Sequence, residues 1–404
     1  MRVLLTNHFP LEGSGSGIYT QNVARELTQK DHDALVITPA HDEQLGFPFE
    51  VRSILFTPDG LLDDDKDAGE RLGFNFPCFT THPLSTTTYG DLFPDQREAY
   101  VEAFRSATAK AVVEWKPDVI HAQHLWVTGY AAHVAGVPYV ATAHGTDLMG
   151  MRKYDAWRPI ALEGAEHAFA IIAISKQVAE DTKRLYELAP ERIRLIMNGF
   201  NEAIFKVLPI DREETLASFG IQGEFEYIVC FVGKLTEFKG VDVLLDAAAI
   251  YEKELGNVLT LIIGDGELRN PLENQADELG LKGVKFLGHQ SQHDVARIFN
   301  LADISVVPSR VEPFGLVAVE ALACGTPVVA TNEGGLPDFI HDGVGVLVNV
   351  ADPGGLAEAV ITELRSDAKR IKGPLAAKYA LEGFSWSGQV DQMIAVYEEA
   401  IRKQ

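Results

Sequence analysis

The sequence has little cysteine and no long hydrophobic run. Its three cysteines, Cys78, Cys230 and Cys324, lie far apart without a Cys-x-x-Cys pair, which argues against a disulfide framework or a structural zinc site. No apolar stretch reaches the roughly 18 residues of a membrane span, and the opening MRVLLTNHFP is too short and too polar for a signal peptide. We therefore expect a cytoplasmic protein. The alternative is peripheral attachment to the inner face of a membrane. Residues 151–159 mix aromatic and basic side chains, which suits a lipid-facing lip, the rim of a substrate pocket or a solvated junction between a loop and a helix.

Positive charge is also scarce. The chain has 35 lysine and arginine residues against 58 aspartate and glutamate residues, which gives a formal net charge of −23. Such a surplus opposes binding to DNA, RNA or anionic lipid through bulk attraction. An anionic ligand must therefore be held by a local cluster of donors, so the lysines in glycine-containing loops become informative.

The 404 residues instead contain short apolar runs that alternate with amphipathic stretches. Short apolar runs suit strands that are buried on both faces of a parallel sheet. One amphipathic stretch, VDVLLDAAAIYEKEL, places its apolar residues on one helical stripe. The predicted strands are RVLLTN, ALVIT, DVIHAQ, PYVATAH, AIIAIS and IRLIMN in the first half, and YIVCFVG, VLTLIIGDG, VKFLG, DISVVPS, PVVAT and GVLV in the second.

This alternation predicts an α/β protein with two Rossmann-like, doubly wound domains that face each other across a cleft. The polar segment at residues 198–220 separates the two blocks of strands. We expect a first domain at residues 1–205 and a second domain at residues 206–383.

The stretch SRVEPFGLVAVEALACGTPVVA, residues 309–330, is almost entirely apolar yet carries two glutamates, Glu312 and Glu320. Pro313 favours an extended conformation at Glu312, which is therefore predicted in a loop. Gly315 precedes an apolar segment, so Glu320 is predicted inside a short buried helix. The amides at the N-terminus of that helix attract phosphate, and Glu320 follows at about 7–8 Å.

That spacing suits a sugar nucleotide, with its diphosphate at the amides and its ribose diol at Glu320. A carboxylate that accepts two hydroxyl donors is satisfied even when it is buried. The alternatives are a backbone cap or an arginine pair for Glu320, and a solvated loop acid for Glu312.

The loop FVGKLTEFKG, residues 231–240, joins a strong strand to a helix and contains Lys234 and Lys239. Gly233 and Gly240 flank the strand-to-helix turn. Two ammonium groups in such a turn can grip a diphosphate and stabilise it as a leaving group. The alternative is a solvated loop with ordinary lysines.

Three further turns follow predicted strands. The glycine loop GSGSG, residues 13–17, lets the backbone approach a phosphate or a sugar, although it does not fit the dinucleotide fingerprint G-x-G-x-x-G. In TAHGTD, His144 lies at a strand end and can contact a sugar hydroxyl, with Asp147 orienting it. In IIGDGE, Asp265 lies in a turn that can line a nucleotide pocket. Flexible turns and a structural histidine are the alternatives.

We find no nucleophile elbow, no His-Glu-x-x-His and no Walker loop. His121 and His124 are three residues apart but lack an apparent third ligand, so no metal site is expected.

Together these segments resemble the retaining glycosyltransferases of the GT-B fold. That large class includes bacterial phosphatidylinositol mannosyltransferases, sucrose-phosphate synthases and thiol-biosynthesis glycosyltransferases. The resemblance covers the glycine loop, HGTD, GKLTEFKG, the paired-glutamate stretch EPFGLVAVEALACGTPVVAT and the FSW at residues 384–386. It implies that residues 1–205 bind the acceptor and that residues 206–383 bind the donor. It also implies that a final helix at residues 384–404 crosses back to the first domain.

The resemblance implies a role for each candidate residue. Glu320 would bind the ribose hydroxyls of the donor, and Glu312 would contact hydroxyls of the transferred sugar. Lys239 would bind the diphosphate, and His144 would contact the donor sugar near the reacting carbon. Lys234 stands where the family commonly has arginine, which keeps the charge but loses bidentate geometry. The remaining candidate donor-binding residues are Phe314, Gly315, Leu316, Val317, Gly15, Gly17, Gly233, Asp265 and Asn198.

The implied reaction moves a hexose-type sugar from a nucleotide-diphosphate donor to an acceptor hydroxyl, with retention at the anomeric carbon. The acceptor enters from the side that the diphosphate leaves, without a metal or a cofactor. The expected partners are the donor and a sugar, polyol, lipid or small-molecule acceptor, with no nucleic acid, in a monomer or a homodimer. The alternatives are a sugar-nucleotide isomerase or epimerase, and a non-catalytic sugar-nucleotide-binding subunit.

Overall fold

A computed structural model of the chain describes residues 1–59, 71–79 and 82–403. The chain divides into two compact units. The first contains Met1–Met197 and the residues from Gln389 onwards, and the second is Asn198–Gly388. None of the helices formed by the described residues combines the length and the apolar character that a transmembrane segment needs.

The first unit is built around a parallel β-sheet. Its described strands are β1 (Arg2–Thr6), β2 (Asp33–Ala40), β3 (Glu50–Phe56), β4 (Arg71–Leu72), β5 (Val119–Gln123), β6 (Tyr139–Ala143), β7 (Ala170–Ala173) and β8 (Ile193–Leu195). They lie in the order β4-β3-β2-β1-β5-β6-β7-β8, and every neighbouring pair is parallel. The apolar residues of β1, β2, β5 and β6 are buried, as expected for central strands covered on both faces.

Helices connect these strands. They are α1 (Gly15–Gln29), α2 (Pro94–Trp115), α3 (Val127–Val134), α4 (Thr146–Lys153), α5 (Arg158–Glu166) and α6 (Lys176–Tyr186). Helix α1 begins at Gly15, inside the predicted glycine loop. Ser14 caps it, because its Oγ accepts the backbone N–H of Gly17 at 3.0 Å.

The second unit has the same construction. Its described strands are β9 (Tyr227–Val232), β10 (Val258–Ile263), β11 (Val284–Gly288), β12 (Ile304–Val307), β13 (Val328–Thr331) and β14 (Gly345–Val348). They form a parallel sheet in the order β11-β10-β9-β12-β13-β14. The helices are α7 (Arg212–Ser218), α8 (Val241–Leu255), α9 (Arg269–Glu278), α10 (Gln292–Leu301), α11 (Leu316–Ala323), α12 (Pro353–Arg365) and α13 (Ala368–Phe384).

The last helix, α14 (Trp386–Arg402), begins in the FSW segment. From Gln389 onwards it belongs to the first unit. Its Tyr397 hydroxyl lies 2.7 Å from Nδ1 of His121 in β5, and the Tyr19 hydroxyl of α1 donates to the sulfur of Met393 at 3.8 Å. These contacts anchor the end of the chain in the first unit.

All twelve strands predicted from apolar runs are present, and α8 has the predicted bounds and buried stripe. The prediction missed β3 and β4. Strand β3 begins with a glutamate, and most of its residues are only partly buried, so it shows no continuous apolar run. The α/β fold with two Rossmann-like parallel sheets is confirmed.

Candidate functional site

The carboxyl ends of β9 and β12 form the candidate site of the second unit. From β9 the chain proceeds outwards to β10 and β11, and it returns on the other side of β9 with β12. This reversal of the strand order is a switch point, and doubly wound sheets bind ligands at the carboxyl ends of the strands beside such a point. The two loops here are residues 233–240 and 308–315, the segments that carry the predicted lysines and the first glutamate.

An ion pair joins these two loops. Lys239 Nζ donates to Glu312 Oε2 at 2.7 Å, and the Ser309 hydroxyl donates to the same oxygen at 3.0 Å. The Glu312 side chain is only 8% exposed, so it is not the solvated loop acid of the alternative interpretation. No hydrogen bond from a described residue reaches Glu312 Oε1. That oxygen can therefore accept a ligand hydroxyl.

Glycines allow the loops to approach this closely. Gly240 has φ +64°, and a Cβ at this position would overlap the carbonyl oxygen of Pro308. A Cβ at Gly334 would overlap the carbonyl oxygen of Glu312, which also accepts the backbone N–H of Gly335 at 2.9 Å. The backbone of Glu312 is thus held from the side of β13 as well.

Gly240→Ala is expected to lower both the free energy of unfolding and the turnover. The added methyl group must adopt a left-handed conformation and push Pro308 away. Gly280→Ala is a matched control, because Gly280 has φ +69° but open space around its Cβ position. We expect Gly240→Ala to cost about 1–3 kcal/mol more than the control. Urea unfolding of both variants measures the difference, and equal losses would contradict the close approach.

Glu320 lies inside α11, as predicted, and its residue is 8% exposed. Among the described residues, no side chain or backbone group forms a hydrogen bond or an ion pair with its carboxyl group. The predicted alternatives of a backbone cap and an arginine pair are therefore not found there. Burial raises the pKa of the Glu320 carboxyl to about 8. A buried acid without a partner is costly, and two hydroxyl donors from a ligand would satisfy it.

The N-terminus of α11 faces the same loop. Gly315 caps the helix with φ +102°, and Phe314 is buried with its ring centroid 5.2 Å from that of Phe339. The amides of Gly315, Leu316 and Val317 have no intrahelical acceptor, because the first turn of any helix lacks one. Leu316 and Val317 are partly exposed. This turn can therefore present amides to an anion.

The other predicted residues of the second unit lie at neighbouring strand ends. Gly233 donates its backbone N–H to Ile263 at 2.9 Å, and Lys234 follows it with an exposed side chain. Asp265 is in the turn after β10, where its carboxylate accepts from the amide of Gly266 at 2.8 Å and lies 3.4 Å from Arg269. Asp265 therefore supports its own turn.

The first unit carries His144 at the end of β6. Its Nε2 lies 2.9 Å from Oε1 of Gln123, the last residue of β5, and the Tyr19 ring meets it edge-on at 4.9 Å. Asp147 accepts the backbone N–H of His144 at 3.1 Å. Asp147 thus fixes the backbone, whereas Gln123, which the sequence reasoning did not single out, contacts the ring. The only sequence signal for Gln123 is its place at the end of a strand.

His144 is expected to act as a neutral imidazole. Burial lowers the pKa of His144 to about 3, so the ring gains a charge only below that pH. The pH profile of kcat/KM should therefore show no His144 step near 6.5, and His144→Gln should keep the shape of the profile while lowering it about tenfold. A step near pH 6.5 that disappears in His144→Gln would contradict this.

The remaining predicted residues are Gly15, Gly17 and Asn198. Gly15 opens α1 with free space around its Cβ position. Gly17 instead packs against its own loop, because a Cβ would overlap the carbonyl oxygen of Pro10. Asn198 is the first residue of the second unit, and its buried Oδ1 lacks a hydrogen-bond partner among the described residues.

Two earlier expectations concern His121 and residues 151–159. The His121 ring lies between the hydroxyls of Thr142 and Tyr397, each at 2.7 Å, so it is a structural histidine. Tyr154 and Trp157 are buried, so their rings are unavailable to lipid, and no observation supports the suggested membrane attachment through this stretch. In the described part of the chain, no three His, Cys, Asp or Glu side chains are grouped to hold a metal ion.

Comparison with known proteins identifies the family. The profile described as "Glycosyl transferases group 1" matches residues 211–373, and "Glycosyltransferase Family 4" matches residues 13–203. The D-inositol 3-phosphate glycosyltransferase of Mycobacterium marinum is 35% identical over 324 residues, which are 74% of this chain and 68% of that protein. The chain belongs to the group 1 glycosyltransferases. D-inositol 3-phosphate glycosyltransferase 1 of Catenulispora acidiphila is 36% identical over 70% of this glycosyltransferase and 72% of its own length.

Solved structures share the GT-B fold of this glycosyltransferase. The sucrose-phosphate synthase of Thermosynechococcus elongatus covers all of both chains with a TM-score of 0.76 at 22% identity. An Anabaena protein in complex with UDP and glucose covers 99% of this chain and 100% of its own, with a TM-score of 0.75 at 23% identity.

Proposed function

We propose that the chain is a retaining glycosyltransferase that moves a hexose-type sugar from a nucleotide-diphosphate donor to an acceptor hydroxyl. The observation that carries the proposal is the grouping of Lys239, Glu312 and the N-terminus of α11 at one switch point. In the same short helix, Glu320 offers a buried carboxyl that has no partner among the described residues.

The donor would use each group for a different part of its structure. The ribose diol would donate to Glu320, and the diphosphate would accept from the amides of Gly315, Leu316 and Val317. Lys239 and Lys234 would stabilise the charge that grows on the departing diphosphate. Because these groups already supply positive charge, the proposal includes no metal ion.

The reaction would proceed by front-face attack. The acceptor oxygen would form its bond to the anomeric carbon on the side where the carbon–oxygen bond to the diphosphate breaks. The proton of the acceptor hydroxyl would pass to the leaving phosphate. Neutral His144 would hydrogen-bond the transferred sugar, and Glu312 Oε1 would accept one of its hydroxyls. The protein would thus contribute positioning and electrostatic stabilisation and would use no covalent nucleophile.

The comparisons suggest which donor and acceptor to test first. One structural neighbour was solved with UDP and glucose, and the relatives are named for an inositol phosphate acceptor. We therefore place UDP-hexoses as donors, and cyclic polyols with and without phosphate as acceptors, at the head of the panel of compounds to be tested.

Thermal-shift measurements with UDP-, GDP- and ADP-sugars, followed by mass spectrometry of acceptor mixtures, test the proposal. We expect one nucleotide sugar to raise Tm and to yield a new glycoside whose anomeric configuration, measured by NMR, matches the donor. An inverted product would contradict retention. An altered sugar on the same nucleotide would indicate an isomerase, and binding without any product would favour a non-catalytic subunit.

A further inference from the structure

Arg310 and Asp242 join the two loops of the candidate site by a second, separate contact. Arg310 lies between Ser309 and Glu312 in the loop after β12, and Asp242 lies in the first turn of α8, just after Lys239. Arg310 Nη1 donates to Asp242 Oδ1 at 2.7 Å, and Nη2 donates to Oδ2 at 2.6 Å. Two parallel hydrogen bonds between planar groups fix direction as well as distance.

Backbone contacts extend this connection across the lysine loop. Arg310 Nη1 also donates to the carbonyl oxygen of Glu237 at 3.0 Å, and the backbone N–H of Arg310 donates to the carbonyl oxygen of Phe238 at 2.7 Å. The carbonyls on the N-terminal side of Lys239 and the carboxylate on its C-terminal side are therefore held by one residue. Lysine could not replace Arg310, because a single ammonium group cannot reproduce the planar fork.

The pair between Arg310 and Asp242 fixes the positions of the two loops and adds little to the stability of the fold. The side chains of Arg310 and Asp242 are 27% and 42% exposed, and pairs at such partly exposed positions contribute little to the free energy of folding. The hydrogen bonds from Arg310 lower the pKa of the Asp242 carboxyl, so it stays ionised at neutral pH. The pair is therefore constant in charge while a ligand binds.

We infer that Arg310 and Asp242 are positioning residues that keep the Lys239 ammonium group beside Glu312, where it can bind the diphosphate. The inference rests on the proposed function, since it needs Lys239 to act on the leaving group. A displacement of about 1 Å in such a group lowers turnover about 100-fold. Loss of the pair should therefore reduce kcat while the fold persists.

Four variants test the inference with the best donor and acceptor of the panel. Arg310→Ala and Asp242→Asn should each lower kcat about 10- to 100-fold, with a smaller change in the donor KM, and the double variant should lose little more than either alone. Arg310→Lys should be intermediate. Arg365→Ala is the matched control, because its 2.8 Å pair with Glu254 lies on the surface. All variants should keep a Tm close to that of the control.

Added guanidinium ion, at concentrations below those that unfold the protein, provides the decisive readout. It should restore part of the turnover of Arg310→Ala and none of Lys239→Ala. Wild-type turnover in Arg310→Ala, or a loss of turnover that follows Tm and resists guanidinium, would overturn the positioning role. Full activity in Lys239→Ala would instead contradict the proposed function.

Discussion

Lys239→Ala is expected to lower kcat about 100- to 1,000-fold, the effect of removing one preorganised donor from a developing negative charge. The Lys239 ammonium group lies 2.7 Å from Glu312 at the switch point where we place the diphosphate. Its attraction to the diphosphate grows as the bond to the sugar breaks, so turnover should fall more than donor affinity. Steady-state kinetics and calorimetric titration with UDP or the preferred nucleotide separate the two effects.

Controls separate this loss from unfolding. Removal of Lys239 leaves the buried Glu312 carboxylate without its counterion, which costs about 1–3 kcal/mol of stability. The double variant Lys239→Ala/Glu312→Gln removes that unpaired charge and should recover Tm but not turnover. Lys253→Ala, an exposed lysine of α8, should behave as wild type. If Lys239→Ala lost donor affinity and stability but kept the full kcat, the proposed role of Lys239 in stabilising the leaving group would be contradicted.

Glu320→Ala is expected to weaken binding of the donor about 10- to 100-fold, because two hydroxyl donors of the ligand lose their acceptor. Saturating donor should restore most of the turnover, since the ribose lies away from the reacting carbon. Isothermal titration of the wild type and of Glu320→Ala gives the ratio of dissociation constants. A matched Glu333→Ala variant, at a partly exposed position in the loop after β13, controls for removal of a carboxyl group. Unchanged donor affinity in Glu320→Ala would exclude Glu320 from the nucleotide site.

The raised pKa of Glu320 adds a dependence on pH. Its pKa is about 8 in the folded chain, against 4.5 as the ordinary value. The folded state therefore holds this proton more tightly, and the stability that results is complete below about pH 4.5 and is lost as the pH rises through about 8. Glu320→Gln cannot ionise, so its Tm should fall less than that of the wild type between about pH 5 and 9. Parallel Tm curves would contradict the unpartnered burial of Glu320.

Most of the fold could be predicted because buried parallel strands appear in the sequence as continuous apolar runs. Each of the twelve predicted strands is such a run, and α8 follows a helical stripe. Strand β3 was not predicted, because a partly exposed strand mixes polar and apolar residues. The burial of Glu320 was also predictable, because apolar residues surround it in the sequence.

The contacts of the site could not be predicted in the same way. Nothing in the spacing of Lys239 and Glu312 indicates that β9 and β12 are neighbours, and their ion pair follows from the strand order. The contact between Arg310 and Asp242 depends on the same strand order. Gln123 ends an apolar strand, and only the pairing of β5 with β6 brings it to His144.

The ion pair between Lys239 and Glu312 also bears on how the second unit is completed during synthesis. Its partners are 73 residues apart in the sequence, so a nascent chain that has emerged only as far as β11 contains the lysine loop but not the carboxylate. On the proposed function, a nucleotide sugar would favour only the completed arrangement of β9 beside β12, and it should protect late intermediates from proteolysis but not early ones.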